Sequence, residues 1–597
     1  MKFLLVAVNA KYIHSNLAVY CLKSYAASKG YEVELAEYTI NQQPGEVLRD
    51  LYERNVDMVA FSCYIWNIEF VKKVIKDYKK VRPRCEIWLG GPEVSYRAAE
   101  LLVQLPEVRR VMVGEGEEIF AELVRAYREE LPLGNIPGIA IRENNGDVFG
   151  TVPAEPLDFS CLPFPYGDGS ITVEKHIKNG ETVWNTLLDS FENRIVYYES
   201  SRGCPFSCAY CLSSVDKQVR FRDMELVKKE LSFFLEKKVP QVKFIDRTFN
   251  INGSRTMELL RFIKENDNGI TNFHFEVAAE LLTTEQIEFL NSLRPGLVQL
   301  EIGVQSANLE TLAAVNRKTE PEMLKNIVAA LRTPNNIHIH LDLIAGLPKE
   351  DLASFKESFD TVYRMRPHQL QLGFLKVLSG APMEQMAKEN DILYQSAPPY
   401  EVLSTRWLSY ADIILLKKVE ELVEVYYNSG QFVYSMMYLQ RFFETPFNVY
   451  EELANYYAEK GLDGIKLSRN RRYEILWEFA TERLKKPEDS KATDLTCSMQ
   501  NFEEILFYDY CLREKPKSRP VFGQQSQLDK QSLKEAYLSF GVKREEEGMH
   551  DIEQFSFHPV ATAEGGEVTG EPCYVLFSYE NREAMYGGAV TRWQRVR

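Results

Sequence analysis

Residues 194–246 read RIVYYESSRGCPFSCAYCLSSVDKQVRFRDMELVKKELSFFLEKKVPQVKFID. Their two ends, RIVYYES and QVKFID, are short runs rich in β-branched and aromatic residues, and helical sequence lies between them, so the stretch predicts strand, loop, helix and strand. The loop after the first strand carries Cys204, Cys208 and Cys211. Three thiols packed this closely in a large chain are better explained by metal than by disulfides. Soft thiolates suit an iron-sulfur cluster, and a [4Fe-4S] cluster held by three of them leaves one iron open for a substrate or cofactor. Zinc would want a fourth ligand, and no His or Cys lies close by in the sequence.

Working outward, FHFEVAA, LVQLEIGVQS, IHIHLDLIAGLP and QLQLGFLKV continue the strand and helix alternation. They complete six units over residues 195–395, a partial (β/α)6 barrel whose working end is the carboxyl edge of its strands. Upstream, KFLLVAVNA, YEVELAEYTI, VDMVAFSCY, CEIWLGGPEVS and RRVMVGEGE alternate with amphipathic helical runs, which predicts a doubly wound α/β domain over residues 1–140. Ligands bind such sheets beyond the carboxyl ends of the strands, where the polar and glycine-bearing loops 9–16, 62–66, 90–95 and 114–117 fall. Residues 141–194, with the Pro-rich TVPAEPLDFSCLPFPYG, read as a linker. Residues 396–597 form long helical stretches rich in Tyr and Phe, a mainly helical C-terminal domain without a readable motif, whose aromatics read as core. Cys497, Cys511 and Cys573 there show no metal-like spacing.

A chain of 597 residues implies two to four domains, and 71 basic against 86 acidic residues argue against a broad grip on nucleic acid. No run approaches the roughly 20 apolar residues of a membrane span, and MKFLLVAVNAKYIHS lacks the core and cleavage site of a signal peptide, so a cytoplasmic location is expected.

The CxxxCxxC spacing with Tyr210 before the last cysteine resembles the signature of the radical S-adenosylmethionine (SAM) superfamily. The resemblance implies that SAM chelates the open iron and is cleaved to a 5′-deoxyadenosyl radical. It further implies SAM contacts at Tyr210 (adenine), Asp246 (amino group), Glu276, Glu301 and Gln305, and at Gly346 and Pro348 of the GLP turn. A doubly wound, Rossmann-like domain ahead of such a barrel, with GGPEVS and GEGE after its fourth and fifth strands, resembles the cobalamin-binding radical SAM enzymes. Cobalamin contacts are then expected at Asn9, Ser62, Cys63, Tyr64, Gly90, Gly91, Pro92, Glu93, Gly114 and Gly116. The DxHxxG motif that supplies a lower cobalt ligand in many cobalamin proteins is absent; the matching stretch is Asn9-Ala10-Lys11, and the nearby His14 reads as a loop or surface histidine.

The function implied is methyl transfer to an unactivated carbon of a small-molecule or peptide substrate, with a reduced flavodoxin or ferredoxin-type electron donor. Radical oxidation or rearrangement without methylation is the alternative within the family. A methylthiotransferase-like modifier of RNA or protein would need a second cluster, for which Cys21, Cys63 and Cys85 are the candidates. Cys63 ends the third strand and Cys85 begins the fourth, so these thiols are not expected to converge.

Overall fold

The run FLLVAVN buries all seven of its residues, as an interior strand covered on both faces does. In the computed structural model it is β1 (Phe3–Asn9) of a seven-stranded sheet with β2 (Glu34–Thr39), β3 (Met58–Ser62), β4 (Glu86–Gly90), β5 (Arg110–Met112), β6 (Ile139–Arg142) and β7 (Val148–Gly150), in the order β2-β1-β3-β4-β5-β6-β7. Strands β1 to β5 are parallel. The intervening helices are amphipathic: in Ile68–Val81 the residues Ile68, Val71, Val74, Ile75 and Tyr78 recur at helical spacing and are buried. Strand order reverses between β1 and β3, which opens a crevice beyond Asn9 and Ser62. The sheet does not stop near residue 140 as expected: β6 and β7 extend it antiparallel, β7 within the predicted linker. At three or four residues each, they are too short to show a period.

The second sheet has six strands in sequential order: β8 (Val196–Tyr198), β9 (Gln241–Phe244), β10 (Asn272–Val277), β11 (Val298–Gln305), β12 (His338–Ala345) and β13 (Gln369–Phe374). Helices such as Met224–Glu236 and Gly253–Glu265 separate them, as the partial barrel requires. The structure describes residues 1–167, 172–178, 181–186, 194–483, 495–526, 528–566, 571–583 and 585–596, so parts of the predicted linker 141–194 lie outside it.

By compactness the chain divides into Met1–Glu301 with Ala313–Lys318 and Phe374–Arg406, and Ile302–Leu312 with Thr319–Gly373 and Trp407–Arg597. This division differs from a boundary at 194, and ion pairs give the reason. Arg194 meets Glu37 at 2.8 Å, both nearly buried, and Arg202 meets Glu117 at 2.9 Å, which ties β8 and its following segment to the first sheet within one unit. In the second unit, helices including Tyr410–Val423, Pro446–Glu459 and Arg469–Arg483 bury Tyr426, Tyr450, Tyr456 and Tyr473. The mainly helical region also carries, near its end, a three-stranded antiparallel sheet of His550–Phe555, Cys573–Arg582 and Ala589–Arg595. Among the described residues no helix is long and apolar enough to cross a membrane.

Candidate functional site

The cysteine loop starts where β8 ends. Gly203 has φ +96°, and a Cβ there would stand 2.3 Å from the Gln218 carbonyl, so the loop closes this tightly only on glycine. The Cys204 amide donates to the Asp216 carbonyl at 3.0 Å, and the Ala209 amide to the Val315 carbonyl at 3.0 Å. Cys204, Cys208 and Cys211 are free thiols, the first two buried. Three thiols on one short loop are a soft ligand set that fits an iron-sulfur cluster.

Sequence reading missed Arg317, whose Nη1 donates to the Cys208 sulfur at 3.9 Å. It approaches from a segment far away in the chain, so spacing could not reveal it. The Tyr210 hydroxyl is buried with no acceptor in reach other than the Cys208 thiol, and burial pushes its pKa up.

The residues expected at SAM separate into different environments. Asp246 is buried, and both its oxygens are occupied: Oδ1 accepts from the Ser200 amide at 2.7 Å, Oδ2 from the Ser200 and Ser201 hydroxyls at 2.6 and 2.7 Å. These bonds anchor the segment leading into the cysteines on Asp246. Glu301 lies inside its strand, where Lys243 Nζ (2.9 Å) and His274 Nε2 (3.0 Å) meet its Oε2. Glu276 is half-buried, 3.9 Å from Arg247.

In the second unit, Gln305 ends β11 at φ +72° with its Oε1 buried and unpaired, an acceptor suited to a ligand donor. Gly346 (φ +93°) and Pro348 form the turn after β12. Behind that turn the buried Glu350 accepts from Ser306 (2.6 Å) and Ser358 (2.9 Å), and burial, offset in part by these two hydroxyls, lifts its pKa to about 7.

At the carboxyl edge of the first sheet lies a cavity of about 600 Å³, lined by Ser62, Tyr64, Gly90, Gly91, Pro92, Gly114 and Gly116 among others. Gly91 has φ +111°, and a Cβ on it would meet the Cys63 carbonyl at 2.5 Å. A backbone cradle of this kind fits a broad, flat ring or its tail. Three expected contacts fall elsewhere. Asn9 lines a second cavity, Cys63 is buried beneath Gly91, and Glu93 accepts from the Tyr400 hydroxyl at 2.5 Å. Ala154, Glu155 and Pro156, inside the predicted linker, line the first cavity and carried no motif that could announce them.

The second cavity, about 540 Å³, is lined by His14, Asn16, Trp66, Tyr197 and Arg247, and it shares Tyr64, Glu117, Glu199 and Arg202 with the first. Tyr64 and Trp66 stack with centroids 4.3 Å apart. His14 is a half-buried loop histidine: its Nδ1 lies 2.8 Å from the Tyr197 hydroxyl, and burial, with Lys11 nearby, pushes its pKa down.

An ion-pair network joins the GEGE loop to the cysteine loop. Arg202 meets Glu117 (2.9 Å), Glu199 (2.8 Å) and Glu115 (3.5 Å), while Arg220 pairs with Glu115. Burial opposes the Glu115 charge, but the guanidiniums of Arg220 and Arg202 outweigh it and hold the carboxyl below its usual range.

A second cluster finds no support in the geometry. Residues 58 and 62 pair with 86 and 90 in parallel register, so Cys63 and Cys85 stand at opposite ends of adjacent strands, six residues or roughly 20 Å apart at about 3.3 Å per residue. Cys21 belongs to helix Leu17–Ser28, and burial pushes its thiol up, as it does those of Cys63 and Cys85. Cys511 and Cys573 are buried, and the Cys497 side chain lies outside the described residues.

Comparison with known proteins gives three family matches: the B12 binding domain over residues 4–124, the radical SAM superfamily over 198–362, and a protein family of unknown function, DUF4080, over 388–563. The 2-(S-pantetheinyl)-carbapenam-3-carboxylate methyltransferase of Streptantibioticus cattleyicolor is 27% identical over 342 residues, 56% of this chain and 48% of that protein. The cobalamin-dependent radical SAM methyltransferase TokK of Streptomyces tokunonensis is 25% identical over 346 residues, with 56% and 48% covered. The chain thus spans about half the length of these curated relatives. Among solved structures, the cobalamin-dependent S-adenosylmethionine radical enzyme OxsB with aqua-cobalamin and S-adenosylmethionine bound superposes at TM-score 0.56. That match covers 94% of this chain and 83% of OxsB at 15% identity, a likeness of fold.

Proposed function

We propose that the chain is a cobalamin-binding radical SAM enzyme, as its matches to the B12 binding and radical SAM families support, and that it is a methyltransferase acting on an unactivated carbon. Cys204, Cys208 and Cys211 would hold a [4Fe-4S] cluster that binds SAM, and the glycine-lined cavity would hold cobalamin. When bound, the cluster and SAM supply a 5′-deoxyadenosyl radical, and the cobalamin supplies the methyl group. The observation that carries the reading is that Glu199 and Arg202, in the stretch leading into Cys204, line both cavities. One short segment therefore serves both the cluster loop and the cobalamin cavity.

Residues 1–140 form the body of the cobalamin domain in this reading, its sheet continued by β6 and β7 into the segment 141–194, with the SAM barrel over 195–395 and the helical domain over 396–597. Gly91 and Gly114 admit the cofactor close to backbone. Tyr210, Glu276, Gln305, Gly346 and Pro348 contact SAM, while Asp246 holds the loop in place. The second cavity, with His14, Asn16 and Trp66 on its walls, receives the substrate, a small molecule or the side chain of a peptide. The electron donor is a reduced flavodoxin or ferredoxin-type protein. The free thiols suit a reducing cytoplasm.

The test is metal and product analysis on protein expressed with cobalamin and reconstituted without oxygen. About one cobalt and about four irons per chain, deoxyadenosine under reduction, and methyl-labelled product from labelled SAM are expected. Deoxyadenosine without methylated product would replace methyl transfer by oxidation or rearrangement. About eight irons would restore the second-cluster reading, and absence of cobalt would overturn the cobalamin assignment.

A further inference from the structure

The second compact unit contains a cavity of about 480 Å³ that no step above uses. It lies at the amino-terminal ends of β12 and β13, next to His368, and β12 runs from there toward Gly346 and Pro348 at its other end. Its walls are aromatic and soft: Tyr363, Tyr427, Phe432, Tyr434, Met436 and Tyr586. Its charged groups are Arg332, Arg364, Arg366 and Glu564. Three guanidiniums against one carboxylate is an unusual balance for a chain of net charge −15.

The compensation of those charges is incomplete. Arg364 has Asp360 at 3.6 Å. Arg332 and Arg366 have no carboxylate partner among the described residues. Arg332 Nη1 instead lies 3.1 and 3.3 Å from the two ring nitrogens of His368. That ring is already committed: Nδ1 accepts from the Ile339 amide at 3.0 Å, and Nε2 faces the Asn335 Oδ1 at 3.0 Å. Burial, with Arg332 and His338 adding to it, pushes the His368 pKa down to about 2, so the imidazole is neutral and cannot relieve the guanidinium of its charge. The Tyr427 hydroxyl is likewise spent on the Pro367 carbonyl at 2.5 Å. Gln440, on the same wall, has its Oε1 buried and unpaired.

A planar fork donor beside flat apolar walls matches an oxyanion carried on a ring: the guanidinium takes the oxygens in a bidentate bond and the aromatic faces take the ring. Its volume falls in the range of small-molecule sites, roughly 300–1,000 Å³. We propose that this cavity is a ligand site for a small organic anion, a carboxylate or phosphate monoester on a flat apolar body, seated on Arg332 and Arg366. Placed away from the carboxyl edge of its own strands, it serves recognition or regulation and not the reaction.

Calorimetric titration of the full chain with 1-naphthyl phosphate, 1-naphthoate and uncharged 1-naphthol tests this. At least one anion is expected to saturate at about one site per chain, about tenfold or more tighter than naphthol. Whichever anion binds better distinguishes phosphate from carboxylate ligands. Arg366→Gln, at an exposed position, and Arg332→Gln are each expected to weaken that binding about tenfold with circular dichroism unchanged. Glu564→Gln is expected to leave it equal or tighter. Absence of saturable anion binding, equal binding of naphthol, or full binding by Arg366→Gln and by the double arginine variant would each overturn the proposal.

Discussion

Cys208 sits between a buried phenol and a guanidinium, and the guanidinium sets the electrostatics of that corner of the loop. A cationic donor to a cluster sulfur favours the more negative, reduced state, because hydrogen bonds and net charge near the sulfurs are levers on the potential. Arg317→Gln is therefore expected to lower the cluster midpoint potential by roughly 60 mV, the one-electron equivalent of about 1.4 kcal/mol. A potentiometric titration followed by electron paramagnetic resonance reads it, and an unchanged midpoint would remove Arg317 from the cluster's surroundings. At the other cofactor, Gly91→Val places a Cβ against the Cys63 carbonyl at a φ that valine avoids. Cobalt per chain is expected to fall about tenfold with iron unchanged, since backbone strain of about 1–3 kcal/mol lies at the cradle and not at the cysteines. The cysteines were legible because their chemistry is local in sequence. Arg317 and the hydrogen bonds of Asp246 were not, because each depends on a neighbour brought in by folding.

Among elements, the contact that matters most is the one between the GEGE loop and the segment after β8. Glu117 is buried, and its Oε1 accepts from Arg202 at 2.9 Å, so removing the arginine leaves a buried carboxylate without its cation. Arg202→Met is expected to destabilise the first unit by about 3 kcal/mol. The denaturant midpoint followed by tryptophan fluorescence measures it, since Trp88 is fully buried in the first sheet. Arg202→Lys is expected to recover part of the loss, having the charge but not the fork. The long elements of both sheets could be read from buried runs and amphipathic spacing, as in FLLVAVN and IEFVKKVIKDYKKV. Strands β6 and β7 and the wall residues Ala154, Glu155 and Pro156 could not, because they owe their place to pairing with β5 and to the cavity they enclose.

For the whole molecule, net charge −15 gives the excess of acid but not its location, and location decides how stability responds to pH. Burial lifts Asp246 to about 6 and Glu350, Asp509 and Glu553 to about 7, each against hydrogen bonds that act the other way. A carboxyl with a raised pKa keeps its proton in the folded chain at pH values where the unfolded chain has lost it. Its contribution is therefore fully present below the unfolded pKa and is lost as pH rises toward the folded one, so these groups make the fold weaken from about pH 4 to about pH 7. Glu350→Gln isolates one of them, because the amide keeps the shape of the neutral acid and can still accept from Ser306 and Ser358. Between pH 5.5 and pH 8 the parent chain is expected to lose about 2 kcal/mol more than the variant, the cost of ionising a carboxyl across about 1.5 pH units at about 1.36 kcal/mol each. Denaturant unfolding at the two pH values measures the difference. Equal losses in parent and variant would mean that Glu350 is ionised within the fold at both, and that its unpaired Oε2 has a cationic partner in solution.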